Sequence, residues 1–444
     1  MTSRWISEQE LAETGKAMYG FLSDLYPICR SITGEGLRET LRRIAMRIPL
    51  DLIEVPTGTK VFDWSIPKEW NIREAYIKNG KGDRIVDFRN SNLHILNYSI
   101  PVHRRISRAE LSEHVFTLPD HPDWIPYRTS YYKEGWGFCI SQRQWEGMSD
   151  EAYEVRIDSS LEEGSLTYGE CFLRGETDKE VLLSCHICHP SLCNDNLSGL
   201  ALATSLAQIL GRIRTRYSYR FLFIPGTIGA IAWLFRNEGN TERIRHGLVL
   251  TGLGAPGPFT YKKSRKGRTE IDRAAALVLQ HSGEEYEIRD FSPYGYDERQ
   301  YCSPGFNLPV GALSRTPYGE YPEYHTSADN LDLVRPETLE KSLRLTLSLV
   351  KVLENNRRYR NLNPKCEPRL GSRGLYRSIG GYTDIRAMEL AMLWVLNFSD
   401  GEHELLDITD RSGVPFGTIL EAAELLKEHG LLEECHSNKE ASLT

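Results

Sequence analysis

The sequence predicts an α/β fold: a mostly parallel sheet flanked by helices, with a β-rich insertion and a helical module at the C-terminus. Three observations carry that expectation. The stretch Val181–Gly199, VLLSCHICHPSLCNDNLSG, runs from an apolar strand through a polar loop into the Ala- and Leu-rich Leu200–Leu210. Strand, polar loop, helix is how an open α/β sheet presents functional groups at the carboxyl ends of its strands. From about residue 140 to 355, apolar strands alternate with helical segments, the pattern of a parallel sheet covered on both faces. Finally, 444 residues exceed one ordinary core, so two or three domains are expected.

In chain order, Ser7–Tyr26 places Leu11, Met18, Leu22 and Leu25 near a helical period, and Pro27 should end that helix. Leu37–Arg47 reads as a second helix. The segments 51–55, 74–78, 84–88 and 93–99 read as short strands between Gly, Pro and Asn turns. Residues 51–136 are therefore assigned to a small aromatic-rich β insertion, with 1–50 and 137–370 as the α/β core. The aromatics of the insertion read as its core rather than as a ligand surface. Strands follow at 153–158, 165–173, 181–183, 219–224, 247–253 and 310–313, with helices at 200–210, 230–236, 274–280 and 336–355. Residues 357–374, rich in Arg, Pro and Gly, read as a linker.

Beyond it, 375–436 shows helix (384–396), short helix (405–409), turn (412–414) and helix (417–428), the spacing of a winged helix. Between Arg377 and Glu434 there are four Lys or Arg against twelve Asp or Glu. Phosphates need cationic partners, so this module predicts a protein contact and no nucleic-acid partner. It is compatible with a homo-oligomer.

The formal charge of −7 agrees with the absence of a nucleic-acid-coating surface. No apolar run approaches the ~20 residues that span a bilayer, and the N-terminus lacks an apolar signal, so a cytoplasmic protein without a membrane partner is expected. Nine cysteines, an odd count, fit reduced thiols better than a disulfide framework.

A metal hydrolase gathers imidazole and carboxylate ligands from several loops around one point and keeps a coordination position open. His186, Asp195 and His325 meet the ligand requirement, with Asp195 short enough to bridge two ions. Blander readings stand beside this one. The histidines can be satisfied loop residues. Cys185, Cys188 and Cys193 can be small buried hydrophobes. Asp195 can cap the following helix, Asp297–Gln300 can be a solvated charge run, and Lys262, Lys263 and Arg265 read as solvated rather than as an anion site.

At HICHPSLCNDNLSG, FLFIPGTIG, GLGAPGPFTYKKSR, YDERQYCSPG and EYHTSADN the chain resembles the zinc aminopeptidases of the M28 type. It resembles more closely a bacterial aminopeptidase-like family often linked to polysaccharide biosynthesis, built from a peptidase-like core, an inserted domain and a winged helix. The resemblance extends over essentially the whole chain. It implies a zinc-aminopeptidase-like fold with His186 as first metal-binding histidine, Asp195 as bridging aspartate and His325 as last histidine. It also places His189, Cys188, Asp297, Arg299 and Tyr301 around a substrate pocket. The departures are equally specific. Gly226, with Thr227 behind it, stands where relatives carry the general-base glutamate and an adjacent ligand. Ala255 replaces a ligand aspartate, and Cys188 replaces the aspartate that orients the first histidine. The site is thus expected to hold one zinc ion or none, with Cys188, His189 or Cys193 as a replacement ligand and Glu320 or Glu323 as a replacement base. The implied function is an amide or aminoacyl hydrolase acting on a small molecule or peptidyl substrate in a biosynthetic pathway. The alternatives are a catalytically inactive binding or scaffold protein and an acyl-transfer or condensation enzyme.

Overall fold

The computed structural model describes residues 5–375 and 385–435, and the chain divides into two units, Thr2–Leu347 and Ser348–Thr444. The larger unit is built on an eight-stranded sheet. Its order is Asp51–Pro56, Ser165–Leu173, Ser218–Ile224, Glu180–His186, Ile244–Leu250, Val310–Arg315, Phe259–Lys262 and Tyr286–Arg289. The four central strands are mutually parallel, and the strands bordering them, Ser165–Leu173 and Phe259–Lys262, run antiparallel. Parallel strands are covered on both faces, which explains the continuous apolar runs; every residue of Glu180–His186 is buried.

The chain leaves Glu180–His186 for Ser218–Ile224 on one side and then crosses to Ile244–Leu250 on the other. The strand order therefore reverses around Glu180–His186, and the crevice at its carboxyl end is where ligands of open α/β sheets bind. The helices Gly199–Leu210 and Ile228–Asn237 follow their strands directly. The helices expected at 7–26, 37–47 and 274–280 are present as Glu8–Leu25, Glu35–Ala45 and Glu270–Gln280, and Pro336–Asn355 begins and ends as read.

The insertion carries its own antiparallel sheet, Arg84–Asp87, Glu69–Lys78, Ala152–Glu162 and Val102–Ser107, over a core of Ile77, Val86, Phe138, Val155 and Ile157. Three sequence expectations are corrected. Asp51–Pro56, assigned to the insertion, pairs with Ser165–Leu173 at the edge of the large sheet. Ala152–Glu162, assigned to the core, is a central strand of the insertion sheet. Alternation alone cannot say which sheet a strand joins, because the partner lies far away in sequence. Residues 93–99 form no strand. Asn92–His94 is a 3-10 turn capped by Ser91, and Asn97 turns its amide inward to Ser31 and the Arg30 carbonyl.

The smaller unit holds helices Ile385–Phe398, Leu405–Ser412 and Phe416–Glu428 beside a sheet ordered Asp400–Glu404, Arg358–Asn361, Leu432–Glu434. Gly413 closes Leu405–Ser412 in the left-handed region at φ 68°, where glycine carries no Cβ penalty. Arg358–Asn361 lies within the stretch read as a linker, so the winged module starts earlier than residue 375. Asp384 and residue 436, expected at its margins, lie outside the described residues. Among the described residues no helix is long and apolar enough to cross a membrane, and all nine cysteines are unpaired thiols.

Candidate functional site

His186 ends the central strand, and the chain then loops through His189 to Asp195 before the Gly199–Leu210 helix. This loop is held by amide and carboxylate side chains. Asn194 accepts the backbone N–H groups of Gly254 and Ala255, and Asn196 accepts those of Gly199 and Gly252 while donating to the carbonyls of His186 and Leu250. Asp329, fully buried, accepts the N–H groups of Asn194 at 2.6 Å and Asp195 at 3.0 Å. Gly199 is required by close approach: a Cβ there would lie 2.6 Å from the Leu250 carbonyl oxygen.

On this frame three imidazoles converge on one carboxylate. His186 Nε2 lies 2.7 Å from Asp195 Oδ1, His325 Nε2 lies 3.0 Å from Asp195 Oδ2, and His189 Nδ1 lies 3.6 Å from that same oxygen. Asp195 is 1% exposed. His189 Nδ1 is buried with no hydrogen-bond partner, and His325 Nε2 and Asp195 Oδ2 meet as an ion pair outside ideal hydrogen-bond alignment. Buried polar atoms are ordinarily partnered, so an orphaned nitrogen in this cluster needs an explanation.

The charge balance agrees. Burial pushes the Asp195 carboxyl up, yet the surrounding imidazoles hold it well below the usual carboxylate range. Burial drives His189 down to about 3, leaving a neutral imidazole with a free lone pair. For His186 burial acts downward, but Asp195 prevails and holds it above its ordinary value. His186, His189 and Asp195 offer ligand atoms all within 4.8 Å of one another. Two to three imidazole nitrogens with one carboxylate oxygen is a donor set that suits zinc.

His325 sits at φ 55°, in the left-handed region that few non-glycine residues enter. A strap of the insertion holds its loop there: Tyr127 N–H donates to the His325 carbonyl, and Ile125 and Ser327 exchange hydrogen bonds. The Tyr127 ring stands edge-on to both His189 and His325, at centroid distances of 5.1 and 5.0 Å. The insertion is thus a wall of the site, which its aromatic content alone did not reveal.

A cavity of about 200 Å³ opens at the imidazoles, lined by His186, His189, Gly226, Thr227, Asp297, Arg299 and a set of tyrosines, Tyr294, Tyr296, Tyr318 and Tyr324. Tyr296 stacks on His186 and Tyr324 on His325. A larger cavity, about 530 Å³ between the N-terminal helices and the insertion, contains none of the three histidines.

Of the residues singled out in the sequence, His186, His189, Asp195 and His325 come together, and Asp297, Arg299, Gly226 and Thr227 line the cavity. Four expectations are corrected. Tyr301 is fully buried beneath the pocket, its hydroxyl against Ser184 Oγ and its ring against Trp233. Cys188 is buried with its thiol pushed up to about 12, near the Gly226 carbonyl and outside the ligand cluster; Cys193, also raised by burial, faces Asp329 and Arg30. Glu320 is engaged by Arg289 in a two-pronged ion pair at the surface, and Glu323 does not line the cavity. Lys262, read as solvated, is instead paired with the buried Glu298, while Lys263 and Arg265 meet Asp290 and Asn307. The tyrosine wall and the Asp329 support went unread because nothing in their local spacing marks them.

Comparison with known proteins locates the chain. The model described as "Domain of unknown function (DUF4910)" matches residues 19–356, and a winged helix-turn-helix model matches 357–434. A Clostridium acetobutylicum protein, named as a polysaccharide biosynthesis protein with an aminopeptidase-like domain, is 52% identical over 425 residues, covering 96% of this chain and 98% of that one. A crystal structure from the same organism, described as a peptidase, superposes with a TM-score of 0.92 at 50% identity over 96% and 98% of the two chains. A zinc aminopeptidase from Bacillus subtilis superposes at a TM-score of 0.55 and 12% identity, over 76% of this chain and 95% of that one, a likeness of fold.

Proposed function

Because the chain belongs to the DUF4910 family and carries an aminopeptidase-like fold, we propose that it is a one-zinc hydrolase acting on an amide or aminoacyl bond of a small biosynthetic intermediate. The observation that carries this reading is the convergence of His186, His189 and His325 on the buried Asp195, with ligand atoms of His186, His189 and Asp195 within 4.8 Å of one another. The biosynthetic context is supported by the name of the Clostridium relative.

When bound, zinc supplies Lewis acidity to a substrate carbonyl. The chain's own groups do the rest. His186, His189 and Asp195 would hold the ion, with His325 against Asp195, and the tyrosines would exclude water and orient the substrate. A cavity of about 200 Å³ has room for a group the size of an amino acid or a single sugar ring. Arg299 offers a cation for a carboxylate or phosphate on that group. Gly226 and Ala255 provide no acid–base group, and Glu320 is occupied by Arg289. These facts favour, as a second reading, acyl transfer or binding without hydrolysis.

The test is direct. Protein purified without chelators should hold about one equivalent of zinc, and His325→Ala should lose both the metal and turnover of aminoacyl anilides. Less than about a tenth of an equivalent in the wild type would overturn the metal reading, whereas bound zinc without hydrolysis would select the second reading.

A further inference from the structure

His189 carries no hydrogen bond that aims its ring. Its Nδ1 is buried without a partner, and the rings of His186, Tyr127 and His325 meet it edge-on at centroid distances of 4.9, 5.1 and 5.0 Å. A metal-binding imidazole is ordinarily oriented by a hydrogen bond from its other nitrogen. Without one, the direction of the ring is set by the backbone that bears it. Pro190 follows, and the residue before a proline is confined to extended conformations. The His189 carbonyl is then the remaining point at which the backbone can be fixed.

That carbonyl is held from outside the loop. Arg30 donates Nε to the His189 oxygen at 2.8 Å and Nη1 to the Leu25 oxygen at 2.7 Å. Leu25 ends the helix Glu8–Leu25, where unsatisfied carbonyls and the negative end of the helix dipole favour a cation. Two residues beyond His189, Ser191 stands at φ 39° and its hydroxyl donates to the Tyr26 oxygen at 2.8 Å. Both ends of His189–Ser191 are thus fastened to the segment that follows the first helix. Asn97 of the insertion donates in turn to the Arg30 carbonyl.

A guanidinium is a costly group for this place. Arg30 is 1% exposed, its Nη2 is buried with no partner, and among the described residues it pairs with no carboxylate. Burial lowers it to about 10, so it stays charged at neutral pH. A buried charge without a counter-ion is retained only for what it does bind, and here that is two carbonyls from separate parts of the chain.

We propose that Arg30 is the positioning residue for His189, fixing the His189 carbonyl so that the imidazole faces Asp195. Its guanidinium touches neither metal nor substrate in this role. The planar fork reaches the loop and the helix end at once, a geometry that a lysine ammonium does not reproduce. The consequence for zinc rests on the one-zinc reading; the hold on His189 does not require metal.

Two measurements test it on the full-length protein. By chelator competition, Arg30→Ala should bind zinc roughly 10–100-fold more weakly than wild type, and Arg30→Lys should fall between the two. Guanidinium chloride below denaturing concentrations should restore most of the affinity of Arg30→Ala and leave Arg30→Lys unchanged. In metal-free, histidine-labelled protein, the His189 ring resonances should shift in both variants while those of His94, buried in the insertion, stay in place. A variant that melts lower yet keeps wild-type zinc affinity and wild-type His189 resonances would overturn the proposal. If Arg30→Ala does not fold, Arg30→Lys decides by the same two readings. Zinc failing to bind the wild type would overturn the one-zinc reading alone, since the spectra still decide whether Arg30 sets the His189 ring.

Discussion

Two sets of side chains within a few residues of one another behave oppositely. Asn194, Asn196 and Asp329 are buried and spend their polar atoms on backbone groups of the surrounding loops. His186, His189, Asp195 and His325, also largely buried, converge on one another instead, and His186 Nδ1 and His189 Nδ1 make no hydrogen bond. An unsatisfied buried donor or acceptor costs about 1–3 kcal/mol, so such atoms persist only where the surrounding structure enforces it. The difference separates side chains that tie the loops together from side chains that converge on one another.

That contrast fails if a supporting residue can be removed without loss of stability. The largest effect is expected for Asp329→Ala, which strands the N–H groups of Asn194 and Asp195: about 2–5 kcal/mol of stability, read as a fall in denaturant midpoint. Zinc binding should fall with it, whereas His325→Ala is expected to lose metal with little change in metal-free stability. Equal destabilisation by the two variants would erase the distinction. A smaller effect tests whether the insertion belongs to the support. Tyr127→Phe removes the hydroxyl that meets Tyr131 at 2.6 Å and should cost about 1 kcal/mol, with substrate affinity reduced more than turnover because the ring over His189 and His325 stays.

The smallest effect lies at the joint between insertion and core, where Glu69 receives Arg38 and the Ser165 N–H. The Arg38 hydrogen bonds lower the Glu69 carboxyl to about 2, against the opposing effect of burial. Its stabilising contribution is therefore complete above the unfolded-state value near 4.5 and is lost as pH falls toward about 2. Glu69→Gln should melt below wild type at neutral pH, and the gap should close on acidification through that window. A gap that persists unchanged to pH 2 would assign the pair no ionic part.

The legible portion of this protein was what repeats locally. The apolar runs at 181–183 and 219–224 and the Ala-rich 200–210 announced buried strands and a crossover helix, and the helix 336–355 was readable to the residue. The clustering of His186, His189 and Asp195 was legible because imidazoles and a carboxylate crowd a short loop after a strand. Glu320 misled for the opposite reason: an acidic residue near a histidine in sequence turned outward to Arg289. Tyr301 misled because an aromatic beside a charge run is equally at home under a pocket or in it.

By itself, then, the order of residues determined the parallel centre of the sheet, the winged module's helices and the identity of the converging histidines, since periodicity and local chemistry act between near neighbours. Only the tertiary structure decided which sheet 51–56 and 152–162 join, that an insertion strap holds His325, and that Gly226 comes close to both His186 and Asp297. Those contacts join residues tens to hundreds of positions apart, and no local pattern encodes which distant partner will be near enough to fill a gap or accept a hydrogen.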